Sequence, residues 1–212
     1  MHTASSPGNS KKALPSRRLY SLGLCLAQAI VILVCGLAYG LESQPQPIDT
    51  ATSREYLIKA AFIYNFIKFV EWPTSAFNAT DGSITVAIYG EDPFGQALET
   101  IRGKSVGGRK LVIKSCRNLK DLDGCEVLFI PRAGQEALPQ ILAALKAGHC
   151  LTISDIEDFS QKGGMITFII VENKVRFKIN LEPTEKAKLK ISSQLLKLAC
   201  QVYEPSRSGG RP

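Results

Sequence analysis

CEVLFIPRAGQEALPQILAALKAGHCLTISD, residues 125–155, places an apolar strand-like run on each side of a stretch of helical composition. The continuous run VLFI predicts a strand that is buried on both faces, as strands of parallel sheets are. The middle stretch, 134–148, ends at glycine and predicts a helix whose first turns are disturbed by Pro139. Because a strand–helix–strand unit connects parallel neighbours, this segment predicts an α/β fold.

Other segments extend this pattern on both sides. The segment GMITFIIVENKVRFKIN (164–180) predicts two strands joined by a tight turn at Glu172-Asn173. A final helix is predicted from about Pro183 to Tyr203. Two further strands are predicted at SITVAIYG (83–90) and RKLVIKSC (109–116). The predicted fold class is therefore α/β: a single three-layer domain with a mixed, mostly parallel sheet flanked by helices, a C-terminal β-hairpin and a final helix.

The segment IKAAFIYNFIKFVEWP (58–73) predicts the main core helix. Its apolar residues cover more than one helical face, which favours burial against a sheet. Lys59 and Lys68 interrupt a run that is already too short to cross a bilayer. A groove-binding role would instead require that Phe66 or Phe69 be exposed.

The first forty residues predict export. They contain four of the 26 basic residues and no acidic residue, and a basic start precedes a long apolar run. Ala38 and Gly40 are small residues at the positions that a signal peptidase prefers, so we expect a cleaved secretory signal. An uncleaved membrane anchor is the alternative interpretation.

The predicted organisation has four parts, and Ser53 is expected to cap the first helix of the folded part. These parts are a signal peptide (1–40), a linker (41–53), an α/β domain (54–203) and a disordered tail (204–212). Without the leader, 22 basic residues face 19 acidic ones, a net charge of +3. Such a mixed surface gives no indication of nucleic-acid binding.

The cysteines beyond the leader are Cys116, Cys125, Cys150 and Cys200. In an oxidising compartment they allow three pairings, and the sequence alone does not choose among them. Cys116 and Cys125 flank a short polar connection between two predicted strands, so we predict that they form a disulfide. The alternative is that one or both are simply buried, small apolar side chains.

No motif in the sequence supports catalysis, a metal or a cofactor. The one histidine beyond the leader, His149, neighbours Cys150 at a strand start, where adjacent side chains point to opposite faces. Ligands of open α/β sheets bind beyond the carboxyl ends of the strands. The polar residues there predict a small-ligand site, with ordinary loop chemistry as the alternative. They are Glu91, Asp92, Ser154 and Asp155.

Seven stretches, in chain order, resemble the YfiR-like family of exported bacterial regulatory proteins, over about residues 54–202. They are KAAFIYNFIKFVEWP, GEDPFG, GKSVGGRKL, CEVLFIP, LTISDIEDFSQKGGMITF, VRFKIN and AKLKISSQLLKLA. The sequence departs from the family's best-known member at its cysteines: Ala87, Ser160 and Thr167 stand where cysteines are expected, and only Cys125 corresponds.

The resemblance implies a periplasmic protein without enzymatic activity. It implies that the protein binds the periplasmic sensor region of an inner-membrane diguanylate cyclase or similar signalling protein and holds that partner inactive. A homodimer is a further option. A periplasmic small-ligand receptor is the alternative function. The predicted partner-binding residues lie on the hairpin and the final helix. The other interpretation is that the charged side chains there only keep an exposed sheet edge from pairing with another strand. The predicted residues are Phe177, Lys178, Asn180 and Lys190.

Overall fold

The computed structural model describes residues 50–77 and 82–205. The predicted signal peptide (1–40), residues 41–49 of the predicted linker and residues 206–212 of the predicted tail lie outside them. In chain order the elements are α1 (Thr50–Phe69), β1 (Val70–Glu71), β2 (Ser83–Tyr89), β3 (Ser105–Val106), β4 (Arg109–Cys116), β5 (Val127–Ile130), α2 (Leu138–Leu145), β6 (Leu151–Ser154), β7 (Ile166–Val171), β8 (Lys174–Asn180), α3 (Leu181–Lys186), β9 (Lys190–Ile191), α4 (Ser193–Leu198) and β10 (Gln201–Tyr203).

Within the described residues, eight strands form the main sheet in the order β10-β8-β7-β6-β5-β2-β4-β3. Strands β4, β2, β5, β6 and β7 run parallel to one another. The pairs β7–β8 and β3–β4 are antiparallel, and β10 returns parallel to β8. Strands β1 and β9 pair separately. The prediction of a mixed, mostly parallel sheet is confirmed.

Alternate residues of the central strands face two separate cores. Val127 and Phe129 of β5 contact the core on the α1 side, whereas Leu128 and Ile130 contact the core on the α2 side. This explains why VLFI is apolar throughout: both faces of β5 are covered. Helix, sheet and helix therefore form the three predicted layers.

Helix α1 supplies the largest aromatic cluster of the first core. Phe66 is fully buried, and its ring centroid lies 4.9 Å from that of Phe177 and 5.6 Å from that of Phe168. Residues 58–69 of the segment thus form the core helix that its apolar pattern predicts, and Val70 and Glu71 continue as β1. The helix already includes Thr50, so Ser53 is an interior residue and does not cap it.

The β7–β8 hairpin turns where the sequence predicts. Glu172 and Asn173 both have positive φ values, 50° and 57°, as the two central residues of a tight hairpin turn require. The cross-strand pairs run from Val171 with Lys174 to Ile166 with Ile179.

The segment after Pro183 differs from the single helix that the sequence predicts. Lys188 adopts a left-handed conformation at φ 58°, which ends the helical path after α3. Strand β9 then pairs with β1, and Ser192 caps the short helix α4 by accepting a hydrogen bond from the Leu195 amide. The chain finishes as β10 at the edge of the sheet, so the pairing of distant strands overrides the helical pattern.

Among the described residues, no helix combines the length and apolarity that crossing a membrane requires.

Candidate functional site at the carboxyl edge of the sheet

The four polar residues predicted to bind a small ligand have different roles in the structure. Asp92 is exposed, and its carboxylate accepts a hydrogen bond from the Phe94 amide at 2.8 Å, which closes its own loop. Glu91 beside it is exposed. Ser154 is fully buried: its hydroxyl donates to the Ile130 carbonyl and accepts from a backbone amide. Ser154 therefore joins two strand ends, whereas the Asp92 carboxylate closes its own loop.

Asp155 lies at the centre of a charged cluster, which we define as Glu55, Tyr56, Lys59 and Asp155; Lys59 and Asp155 are buried, and Glu55 and Tyr56 are partly exposed. Its Oδ2 accepts hydrogen bonds from the Lys59 ammonium at 2.7 Å and from the Tyr56 hydroxyl at 3.0 Å. Lys59 is 2% exposed and also contacts the Glu55 carboxylate at 2.6 Å. The second oxygen of Asp155, Oδ1, is buried and has no hydrogen-bond partner among the described residues.

The helical period of α1 builds this cluster. Glu55 and Lys59 are four residues apart, so their side chains meet on one helical face. That face packs over the end of β6, where Asp155 follows Ser154. The Tyr56 ring also meets the Phe94 ring edge to face, with centroids 5.1 Å apart. The cluster thus ties the first turns of α1 to two loops at the carboxyl edge.

Sequence reasoning predicted Asp155 but missed its partners on α1. The available signal was Lys59 itself, a charged residue directly before Ala60 in an otherwise buried apolar row. A buried lysine requires a paired carboxylate because an unpaired buried charge is very costly. The identity of that carboxylate could not be derived, since Asp155 is 96 positions away in the sequence.

In the cluster, a lysine and a tyrosine share one carboxylate oxygen. The part of the chain that the structure describes has no group of three histidine, cysteine or acidic side chains placed to hold a metal ion. Asp155 accepts from a lysine and a tyrosine, while Arg132 donates to its backbone carbonyl at 3.3 Å. The arrangement can fix α1 to the sheet, and Oδ1 could accept one further hydrogen bond.

Tyr56 gives the cluster a pH dependence. Burial, and then the charge and hydrogen bond of Asp155, raise the pKa of Tyr56 well above its ordinary value. Because the folded state retains this proton to higher pH, the stabilisation from Tyr56 is complete below about pH 10 and is lost as the pH rises further.

We therefore expect the free energy of unfolding to fall more steeply above pH 10 in the wild type than in Tyr56→Phe. At pH 7 the same substitution should cost about 1–2 kcal/mol, because it removes a hydrogen bond to a charged group. Urea unfolding at a series of pH values measures both effects. Parallel curves above pH 10 would contradict this assignment.

The four residues predicted to bind a partner differ in accessibility. Phe177 is 1% exposed and belongs to the aromatic core, so its side chain is not at the surface. Asn180 caps α3 and donates to the Ser160 carbonyl. Lys178 is half-buried, and Lys190 is exposed on β9 opposite Glu71. Of the four, Lys190 is the most accessible, and Lys178 and Asn180 are both half-buried.

A more exposed apolar surface lies at the hairpin tip. The register pairs Thr167 with Ser154, the last residue of β6, so β7 continues roughly 13 Å beyond that strand. Ile170 and Val171 on this extension are 51% and 42% exposed. Because Ile170 and Val171 are adjacent in β7, their side chains point to opposite faces of the hairpin, and we call these two residues the tip patch.

The cysteines suggest a pairing different from the predicted one. All four in the described residues are free thiols, and Cys116 donates to the Asp121 carbonyl. The Sγ atom of Cys125 lies 3.5 Å from that of Cys150, because the two residues precede the neighbouring strands β5 and β6. Contact with Cys125, together with burial, raises the pKa of Cys150, and the same contact lowers that of Cys125. The Cys116–Cys125 disulfide stays a prediction, and the thiol distance favours Cys125–Cys150.

Oxidation should therefore link Cys125 to Cys150. With oxidised glutathione as acceptor of the two electrons and two protons, we expect peptide mapping under non-reducing conditions to recover this pair first. Cys150→Ser should abolish the crosslink, whereas Cys200→Ser, at an exposed cysteine, should leave it intact. Recovery of a Cys116–Cys125 peptide would instead support the pairing that the sequence predicts.

Ser160 and Thr167, two of the positions where the resemblance leads one to expect cysteines, face each other. Their hydroxyl oxygens are 2.5 Å apart and buried. A hydrogen bond thus connects the loop after β6 to β7 at this point.

The sequence comparison identifies the family of this α/β domain. The chain belongs to the YfiR/HmsC-like family, whose sequence model matches residues 56–200. Proteins of this family are known as periplasmic regulators. This confirms the resemblance carried by the seven sequence stretches.

Two solved structures are similar to the chain. One is a conserved domain protein from Vibrio cholerae O1 biovar El Tor str. N16961, with 12% identity, a TM-score of 0.48 and coverage of 69% of this chain and 60% of that one. The other is the ABC domain in complex with L-Trp from Streptococcus pneumonia, with 10% identity, a TM-score of 0.46 and coverage of 72% and 60%. The chain thus spans 60% of the length of each. No curated protein matches the sequence.

Proposed function

We propose that this protein is exported to the periplasm, where it binds the sensor region of an inner-membrane diguanylate cyclase and holds the enzyme inactive. The observation that carries the proposal is the family match over residues 56–200. The basic, apolar leader in residues 1–40 supports it, since it has the pattern of a secretory signal. A homodimer stays a prediction.

The tip patch is the surface we propose for this contact. Val171 is a large apolar side chain on the same face of the hairpin as the exposed charges of Lys174 and Arg176, and Ile170 is exposed on the opposite face. Lys178 lies further along the same strand, and Lys190 lies on β9. Phe177 packs in the core beneath the hairpin. It does not contact a partner itself, but it holds the strand that carries the exposed residues in place.

Photo-crosslinking in the source bacterium tests this surface. A benzophenone amino acid at Val171 should capture an inner-membrane protein that carries a diguanylate cyclase domain, identified by mass spectrometry. The matched control is Val112, which is 41% exposed on β4 against 42% for Val171. Equal capture from both positions, or capture only from Val112, would exclude the tip patch as the contact.

A small-ligand receptor is the second candidate function. The unpartnered Oδ1 of Asp155 favours it, because a buried oxygen without a hydrogen bond is a position where a ligand could donate one. In a thermal-shift screen of small periplasmic solutes, a true ligand should lose its effect in Asp155→Asn and keep it in Asp92→Asn. Equal shifts in both variants would clear Asp155 of this role.

A further inference from the structure

A groove of about 580 Å³ opens on the α2 side of the sheet, and no residue of the charged cluster lines it. It exists because the two helices on this side are short: α2 has eight residues and α3 has six. The hairpin β7–β8 follows β6 without a covering helix of its own. The sheet surface between α2 and α3 is therefore only partly covered.

The lining of the groove is partly apolar and partly polar, with Thr152, Gln161 and Asn180 among its uncharged polar residues. Leu142 and Leu145 of α2 form one wall, and Met165 and Cys150, both nearly buried, lie on the floor. A volume of this size is within the range of pockets that hold small molecules, about 300–1,000 Å³. The lining therefore suits a ligand with an apolar body.

The charges around the groove are mostly positive. Lys146, Lys162 and Lys186 line it, together with Glu182. Lys186 is already paired with Glu182 at 2.6 Å. Within the part of the chain that the structure describes, Lys146 and Lys162 form no ion pair, so two positive charges remain uncompensated. A lysine at the carboxyl end of a helix interacts favourably with the helix dipole, which explains Lys146 at the end of α2. Lys162 lies on a separate loop, so the dipole of α2 does not explain it.

We propose that this groove binds a small amphipathic anion, a molecule with one carboxylate and an aliphatic body. The carboxylate lies between the ammonium groups of Lys146 and Lys162, and the aliphatic body packs against Leu142, Leu145 and Met165. Charge complementarity selects the anion, and apolar burial supplies most of the affinity. This proposal does not depend on the regulatory role proposed above.

Isothermal titration with decanoate below its micelle concentration tests the proposal, with decyltrimethylammonium as a probe of equal chain length and opposite charge. We expect decanoate to bind more tightly than the cation. Lys146→Gln/Lys162→Gln should weaken decanoate binding about tenfold, because two attractive charges of modest individual effect are removed. Lys110→Gln/Lys120→Gln makes the same change in net charge at exposed positions outside the groove and should bind like the wild type.

A second readout locates the bound molecule. In NMR spectra of the labelled protein, decanoate should shift the amide signals of Gly163 and Ala187, which line the groove, and leave those of Lys110 and Lys120 in place. No binding, equal binding of the cation, or equal weakening by both double variants would overturn the proposal. Shifts confined to residues elsewhere would do the same.

Discussion

Replacing Phe66 with alanine is expected to lower the free energy of unfolding by about 4 kcal/mol. Phe66 is fully buried, and its ring lies within 6 Å of the rings of Phe62, Phe168 and Phe177. The substitution removes a large apolar side chain and leaves a cavity that the surrounding β-strands can fill only in part. Urea unfolding, followed by circular dichroism, measures the change as a shift in midpoint at constant slope.

Asn65→Ala is the matched control for Phe66→Ala, because Asn65 is the exposed neighbour on the same helix. Its effect should stay within about 0.5 kcal/mol. If Phe66→Ala cost less than 1 kcal/mol, α1 would not be the core helix, and the packing of the hairpin against it would have to be revised.

Replacing Asp155 with alanine is expected to cost about 3 kcal/mol, the lower end of the range for breaking a buried ion pair. Lys59 would lose its 2.7 Å partner while remaining buried. The loss should not be larger, because Glu55 remains at 2.6 Å from the lysine. Asp92→Ala, which removes an exposed carboxylate that only closes its own loop, should cost less than about 1 kcal/mol.

A double substitution separates the ion pair from the general effect of a smaller side chain. Lys59→Met/Asp155→Leu replaces both charges with apolar groups, which is often nearly neutral for buried pairs. We expect the double variant to be more stable than Asp155→Ala. Equal losses for Asp155→Ala and Asp92→Ala would show that the charged cluster does not hold α1 to the sheet.

Much of this fold could be predicted because its strands follow local rules. VLFI is apolar throughout since both faces of β5 are covered. The Glu172-Asn173 turn was predictable because two polar residues separate two apolar runs. In β8, the alternation of Lys174, Val175 and Arg176 also indicated which side chains face the core. The same alternation places Phe177 inside, a signal that the prediction of Phe177 as a contact residue did not use.

The contacts that could not be predicted join residues far apart in the chain. Lys59 and Asp155 are separated by 96 positions, and nothing in either local sequence specifies the other. The strand order places Cys125 beside Cys150, whereas the sequence shows Cys125 closer to Cys116. Likewise, β9 forms because it pairs with β1. The helical pattern of the sequence after Pro183 does not indicate this pairing.

The most direct test of the proposed regulatory role is the cellular level of cyclic-di-GMP after deletion of the gene. Our account predicts that the level rises, and that wild-type protein and Val112→Asp restore it whereas Val171→Asp does not. The rise should disappear when the gene of the captured cyclase is deleted as well. An unchanged cyclic-di-GMP level in the deletion strain, with that cyclase present and expressed, would contradict the account.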